Sequence, residues 1–305
     1  MAFGLSTSWN ASRTNDGKEL IFEIKEAGFS AVELGFNLTA EMVRDIAGLV
    51  AAREIEVLSL HNFCPIPDGL SRPEALPDCY SLASLKEETR ELALKYTKRT
   101  INTAKALGAR AVVLHNGRVE ISEHTRKLIG LYENNLYGSP DFTRIKAAFI
   151  KERKARSGRF FENTLKSLDE LNRYAGEAGI SLGIENRFYY SEIPSFEEID
   201  LILKEFSGGK VFYWHDVGHA QVMERLGFWQ HAEFLQSYGS EMLGVHLHNV
   251  TGCRDHQVPQ KGDFDFKRLK PYLKKETLKI IEAHGPATLQ DLIQARDYLE
   301  GIFNG

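Results

Sequence analysis

Cysteine is scarce in this chain: Cys64, Cys79 and Cys253 are the three in 305 residues, odd in number and widely spaced. They form neither a disulfide framework nor a CxxC zinc site, so a reducing cytoplasm is the expected setting. No apolar run approaches the roughly 18 residues a membrane helix needs, so no membrane partner is expected. The opening Met1-Ala2-Phe3-Gly4 lacks a basic-then-apolar leader pattern, and Ala2 stands where N-myristoylation needs glycine. No charge sign dominates: 38 Lys and Arg against 42 Asp and Glu leave a net −4. That mild acidity argues against a general nucleic-acid binder, which usually carries a strong basic field. Low-complexity stretches and a Pro/Gly-rich linker are also missing. A single domain over residues 1–305 is therefore expected.

What is present is a rhythm of short apolar run, turn and amphipathic stretch. Strands are predicted at Phe3–Thr7, Ala31–Leu34, Glu56–Leu60, Ala111–Leu114, Ser181–Ile184, Val211–Trp214, Leu243–Leu247 and Leu278–Ile281. Short, mostly apolar runs suit parallel strands buried on both faces. Helices are predicted at Gly17–Ala27, Thr39–Arg53, Lys86–Leu107, Phe160–Ala178, Ser195–Phe206, Ala220–Ser237 and Thr288–Phe303, from apolar spacings of three and four. Ala27-Gly28-Phe29, Leu107-Gly108-Ala109 and Ala178-Gly179-Ile180 repeat one phrase, a glycine C-cap before a strand. Eight strands in βα order suit a closed (β/α)8 barrel or a doubly wound sheet. The first strand is followed by Ser8-Trp9-Asn10-Ala11-Ser12-Arg13, not by a GxGxxG loop, which favours the TIM barrel. Surplus length falls in two loops, Asn62–Lys86 and Asn116–Gly158, after the third and fourth strands. Both belong to the face where barrel active sites lie.

Histidine placement is the main functional signal. Of ten histidines, eight fall at or near a predicted strand C-terminus: His61, His115, His215, His219, His246, His248, His256 and His284. Glu185, Asp216 and Glu282 end the fifth, sixth and eighth strands. Period-two alternation turns Leu182, Ile184, Leu58, Leu60, Val112, Leu114, Val245 and Leu247 outward. It turns Glu185, His61, His115, His246 and His248 into the mouth. His215 has outward parity and should pack on a helix, Lys279 would share the outer face with Ile281, and Glu33 could hold a loop or touch substrate. Carboxylates converging with imidazoles are costly to bury unless a cation neutralises them. The mixed oxygen and nitrogen set of Glu185, Asp216, His246 and Glu282 suits Mn, Zn, Mg or Co without deciding among them.

These residues resemble the xylose isomerase-like TIM-barrel superfamily, which includes sugar phosphate isomerases and epimerases, dehydratases and the endonuclease IV branch (AP endonuclease family 2). The resemblance rests on Ile184-Glu185-Asn186-Arg187, His215-Asp216-Val217-Gly218-His219, Val245-His246-Leu247-His248-Asn249 and Ile281-Glu282, in that order. It implies one divalent metal on Glu185, Asp216, His246 and Glu282, with the two glutamates as acid and base. It also implies substrate contact by His219, and in an alternative register His248 is the ligand and Arg254 meets substrate. The stretch His256–Asp265 resembles that branch's loop after the seventh strand. The endonuclease IV branch holds three zincs, and His61, His115, His219 and His256 match its pattern. Arg254 falls where that branch has an aspartate, and Asp255 looks out of phase to replace it.

The expected activity is isomerisation or epimerisation of a sugar or sugar-like polyol by proton abstraction next to a carbonyl, through an enediolate held on the metal. Such a chain would be a metal-dependent enzyme of carbohydrate metabolism. Substrate positioning is expected from His219, His248, Arg187, Arg254, His256, His61 and His115, with Trp9 as an apolar wall. The alternatives are a phosphodiesterase acting on abasic DNA, a dehydratase or lyase that expels a β-hydroxyl, and a non-catalytic sugar-binding barrel. The expected partner is a small sugar-like molecule, with no nucleic acid and a homo-oligomer possible. The insertion 118–159 carries ten Lys and Arg against five Asp and Glu, interleaved with Tyr132, Tyr137, Phe142 and Phe149. It is expected to be a solvated helical lid, and less so a track for a nucleic-acid backbone.

Overall fold

The computed structural model describes residues 3–304. The Met1-Ala2 start, on which the leader and lipid-anchor expectations rest, lies outside the described residues. Eight parallel strands close into a ring in the order β1 (Gly4–Ser6), β2 (Ala31–Leu34), β3 (Glu56–His61), β4 (Ala111–Leu114), β5 (Ser181–Glu185), β6 (Val211–Asp216), β7 (Met242–Leu247) and β10 (Leu278–Ile281). Between β7 and β10 a small antiparallel hairpin, β8 (Asn249–Thr251) and β9 (Arg254–Gln257), stands over the ring. The sequence pattern does not contain that hairpin. Helices α1 (Gly17–Glu26), α2 (Ala40–Ala51), α3 (Glu87–Leu107), α4 (Thr125–Glu133), α5 (Pro140–Ala178), α6 (Phe196–Glu205), α7 (Val217–Arg225), α8 (His231–Tyr238) and α9 (Leu289–Asn304) complete the fold. This is the expected TIM barrel, and ring closure excludes the doubly wound sheet. No helix among the described residues is long and apolar enough to cross a membrane.

Two apolar layers follow from strand alternation. Outside the ring, Leu60, Val112, Leu114, Leu182, Ile184, Val245, Leu247 and Ile281 pack on the helices. Inside, Ala31, Leu58, Ala111, Val113, Trp214, Leu278 and Ile280 fill the floor. Leu58 is therefore inward, not outward as alternation predicts. The β2–β3 register jumps from Val32↔Val57 to Glu33↔Ser59, so Leu58 is an extra residue that shifts the phase. His61 still reaches the mouth. Trp214 occupies the centre of the floor, and side chains on Gly183 or Gly244 would collide with its ring. Lys279 does lie on the outer side, where its Nζ donates to the carbonyls of Thr277 at 2.8 Å and Lys274 at 3.1 Å.

Two helical expectations change. The pattern over Ala220–Ser237 is two helices, α7 and α8, separated at Gly227, whose φ is +70°. The connection Asn116–Gly158 is mainly helical, as expected of the insertion, but it is packed on the barrel rather than being a solvated lid. Ser139 caps α5 by accepting from Phe142 N at 3.2 Å, Pro140 takes the first helical position, and α5 then runs unbroken for 39 residues. Leu128, Phe142, Ile145 and Phe149 pack against Val222 and Met223 of α7, Leu226 just after it, Val250 of β8 and Cys253 in the hairpin turn. The insertion is thus a wall with its own apolar core, built on α7.

Candidate active site

The strand C-termini put four side chains at one point. Glu185 ends β5, Asp216 ends β6, His246 is in β7 and Glu282 follows β10. Their ligand atoms all lie within 4.8 Å of one another, and all four residues are buried. His246 is the hub. Its Nδ1 lies 2.7 Å from Glu185 Oε1, 3.1 Å from Glu282 Oε2 and 3.6 Å from Asp216 Oδ2. Its other nitrogen, Nε2, faces Glu33 Oε1 at 3.0 Å, and Glu33 in turn accepts from Ser59 Oγ at 2.7 Å. Glu33 is thus placed behind His246, gripping the side of the ring that faces away from the other three carboxylates. A carboxylate behind a ligating imidazole is the usual outer support of a metal site.

Local structure explains how Asp216 is held. It is the N-cap of α7 and accepts from His219 N at 2.7 Å. Asn186 grips its main chain, donating to Asp216 O at 2.9 Å and accepting from Asp216 N at 2.7 Å. His248 Nε2 lies 2.9 Å from both carboxylate oxygens. Gly218 permits this approach, since a Cβ there would meet the His248 ring. His246, with three carboxylates around one nitrogen, is the better placed donor; His248 touches Asp216 alone within the tetrad.

The buried carboxylates and imidazoles shift one another strongly. Burial opposes ionisation of Glu185 and Asp216, but His115, His246 and Arg187 around the first, and His219 and His248 around the second, hold both well below the usual carboxylate range. Burial pushes Glu282 up to about 7 against the pull of His246 and His256. Burial also opposes charge on His246, yet the Glu282 and Glu33 carboxylates hold it well above an ordinary imidazole. Of the three carboxylates, Glu185 is paired with a guanidinium, Arg187, which Glu192 also holds. This donor set fits a divalent cation, which would take the place of the proton that the carboxylates hold on His246.

A cavity of about 990 Å³ opens above the tetrad. His61, His115, Arg187, His219, Arg254 and His256 line it with Glu185 and Glu282, whereas His248, also expected to meet substrate, is buried against Asp216 and is not on the lining. His115 Nε2 lies 3.1 Å from Glu185 Oε2, and Arg187 Nη2 lies 2.7 Å from His115 Nδ1. Burial drives His61 down to about 3 and His219 down to about 4, so both rings are neutral near pH 7. His256 and His284 stack at 3.8 Å between centroids. His215 packs outward as expected, with Nε2 3.0 Å from His231 Nε2 on α8. Trp9 is placed elsewhere. Its Nε1 donates to Ala287 O at 2.8 Å and its ring lines a neighbouring cavity with Arg13 and Pro286, because β1 ends early and turns into a 3-10 segment.

Asp255 corrects a second expectation. Its Oδ2 lies 3.1 Å from His256 Nδ1 and 3.9 Å from His219 Nε2, so it is in phase with both. His256 has a left-handed backbone, φ +53°, which breaks the strand alternation that made Asp255 look misdirected. Sequence reasoning also missed Asp78, Glu192 and Arg153. Asp78 reaches His115 at 3.6 Å and Arg118 at 2.9 Å from the middle of a long loop, where no periodicity marks it. Arg153, buried in α5, clamps Glu198 at 2.7 Å and donates to Glu192 O at 2.9 Å.

A model of the family described as xylose isomerase-like TIM barrel matches residues 21–300. The chain belongs to this family. An uncharacterised protein of Methanocaldococcus jannaschii is 24% identical over 304 residues, covering 99% of each chain. Among solved structures, a D-tagatose 3-epimerase-like protein is 19% identical with TM-score 0.66, covering 100% of this chain and 97% of its own. The 3-keto-D-glucoside 4-epimerase of E. coli, in its apo form, is 14% identical with TM-score 0.69 and 99% coverage of both. D-psicose 3-epimerase of Clostridium cellulolyticum H10, solved with D-tagatose, is 13% identical with TM-score 0.67 and 99% coverage of both. At these identities the likeness is one of fold.

Proposed function

We propose that the chain is a divalent-metal-dependent isomerase or epimerase of a sugar or sugar-like polyol. The observation that carries this reading is the buried tetrad of Glu185, Asp216, His246 and Glu282 at the base of a sugar-sized opening. The fold shared with sugar epimerases supports it. The same four residues would hold the metal, whose identity is left among Mn, Zn, Mg and Co. When bound, such an ion supplies Lewis-acid polarisation of a carbonyl.

The protein groups do the proton work. Glu185 and Glu282 enter from β5 and β10, on either side of the β6–β7 pair. One takes the proton next to the carbonyl and the other returns it, a contribution on the order of 10²–10⁴-fold. Arg187 and His115 orient the Glu185 carboxylate, while His219 and His256 present ring nitrogens to substrate hydroxyls. Asn186 and His248 keep Asp216 in place, and the insertion wall limits water.

Glu185→Gln tests the assignment. The variant should lose turnover on the true substrate while still binding metal, and full activity would overturn the acid–base roles. A second reading, the multi-metal phosphodiesterase, is favoured by two flanking donor clusters: His61, His115 and Glu185, and His219, His248 and His256. Arg187 already supplies positive charge against both His115 and Glu185, which weighs against a cation there. Metal analysis separates the readings: one ion per chain supports the isomerase, and three with incision of an abasic duplex support the phosphodiesterase. The same enediolate chemistry would serve a dehydratase, so products identify which of the two reactions occurs.

A further inference from the structure

Among the described residues three Lys or Arg side chains are buried: Arg153, Arg187 and Lys279. Lys279 is spent on two main-chain carbonyls outside the ring. The other two belong to one chain of contacts that starts in the insertion and finishes on Glu185. Arg153, in α5, donates to both carboxylate oxygens of Glu198, at 3.1 and 2.7 Å, and to Glu192 O at 2.9 Å. The side chain of Glu192 then faces Arg187, with Oε1 3.3 Å from Nη2, while its Oε2 accepts from Tyr189 N at 3.0 Å. Arg187 completes the chain by donating from Nη1 to Glu185 Oε2. That oxygen also meets His115 Nε2 at 3.1 Å, whereas Glu185 Oε1 faces His246 Nδ1 at 2.7 Å. The two oxygens of Glu185 are thus divided, one to Arg187 and His115 and the other to the tetrad. Arg187 and Glu192 both sit on the loop 186–195 between β5 and α6. Its main chain already lies along the insertion: Val119 N donates to Ser191 O at 2.8 Å, Ile193 N to Gly117 O at 2.9 Å and Tyr190 N to Thr125 Oγ1 at 3.1 Å.

We propose that Arg153 of the insertion is a positioning residue for Glu185, acting through Glu192 and Arg187 to keep Oε1 turned to the tetrad. This rests on the metal reading above and gives the insertion a part in it beyond walling the cavity. A planar guanidinium that forks onto a carboxylate fixes direction as well as distance. Burial strengthens each contact in the chain and leaves no water to replace one that is lost. The loop itself keeps its three contacts to segment 117–125 without Arg153, so losing the fork frees the Glu192 and Arg187 side chains rather than the fold. The sign of the effect separates positioning from simple charge. Arg153 is positive, so its removal by charge alone would favour a cation at the tetrad. Positioning demands the opposite, weaker binding, because Glu185 would no longer be held in its divided state.

Calorimetric titration of the whole chain with Mn²⁺ tests this without a substrate. Arg153→Gln should weaken binding by about 10-fold or more, the loss typical of an outer partner. Arg153→Lys, which keeps the charge but not the fork, should fall between that variant and the wild type. In a Glu185→Gln background, where Arg187 no longer has its carboxylate, Arg153→Gln should change nothing further. Equal or tighter binding by Arg153→Gln, or a loss of the same size in the Glu185→Gln background, would overturn the proposal. If Arg153→Gln does not fold, Glu192→Gln carries the same comparison, since it keeps an acceptor for Tyr189 N and leaves the Arg153 contact to the carbonyl. Its loss should be about 10-fold beside Glu185 and absent beside Gln at that position; equal losses in both backgrounds would reduce it to a missing negative charge and overturn the proposal. A wild-type chain that takes up no Mn²⁺ overturns the metal reading and the proposal with it, whereas normal uptake unchanged by Arg153→Gln overturns the proposal alone.

Discussion

The two ends of the barrel are made by the same strands with opposite chemistry. On β6, Trp214 faces the apolar floor with Leu58, Val113 and Ile280, and two residues later Asp216 faces the mouth. On β7, Gly244 makes room for the Trp214 ring, and two residues later His246 gathers three carboxylates. The floor contributes stability by filling volume, whereas the mouth concentrates like charges that a stable core would avoid. The contrast teaches that packing alone gives no reason to bring those carboxylates together, which the proposed cation would supply.

The contrast can be broken from either end. Trp214→Ala should have the largest effect, destabilising the fold by about 3–5 kcal/mol because the floor cannot collapse around the lost ring; denaturant unfolding reads it. Asp216→Asn should act on the other end: Asn keeps the helix cap, so its cost to stability should stay below that of Trp214→Ala and come from the lost pairing with His248. Its divalent-metal affinity should fall by more than about a hundredfold, beyond the loss typical for an outer partner, as measured by calorimetric titration. Glu33→Gln should weaken metal binding by about 10- to 100-fold while leaving the four donors in place.

The smallest effect concerns a third environment, outside the ring. Burial holds His231 well below an ordinary imidazole, and its neighbour His215 down to about 3. A histidine whose folded value is depressed binds its proton more readily in the unfolded chain. The stabilisation is therefore complete above the unfolded value of about 6.5 and declines as pH falls below it. One such group sets a slope of about 1.4 kcal/mol per pH unit. His231→Gln should flatten the slope of unfolding free energy between pH 6.5 and 5; an unchanged slope would remove His231 from this role.

Much of this was legible because the signals were local. Apolar runs located all eight ring strands, and alternation aimed Glu185, His115 and His246 correctly. Asp216 and Glu282 were legible as strand-end carboxylates. Alternation failed where the backbone departs from it, at the extra residue Leu58 and at left-handed His256. The insertion was legible as helical, but its packing was not, because its apolar residues meet partners on α7 and the hairpin that are distant in sequence. Asp78 and Arg153 were invisible for a related reason: their partners are set by tertiary placement, and nothing nearby in the chain distinguishes them from surface charges. Glu33 was visible at a strand end, but its role behind His246 depends on ring closure bringing β2 and β7 face to face across the barrel.

The most direct test is anomalous diffraction from crystals grown with Mn²⁺. The account predicts one strong peak per chain within bonding distance of Glu185, Asp216, His246 and Glu282, with His246 bound through Nδ1. A protein that retains no ion there, or whose main peak lies between His61 and His115, would contradict it.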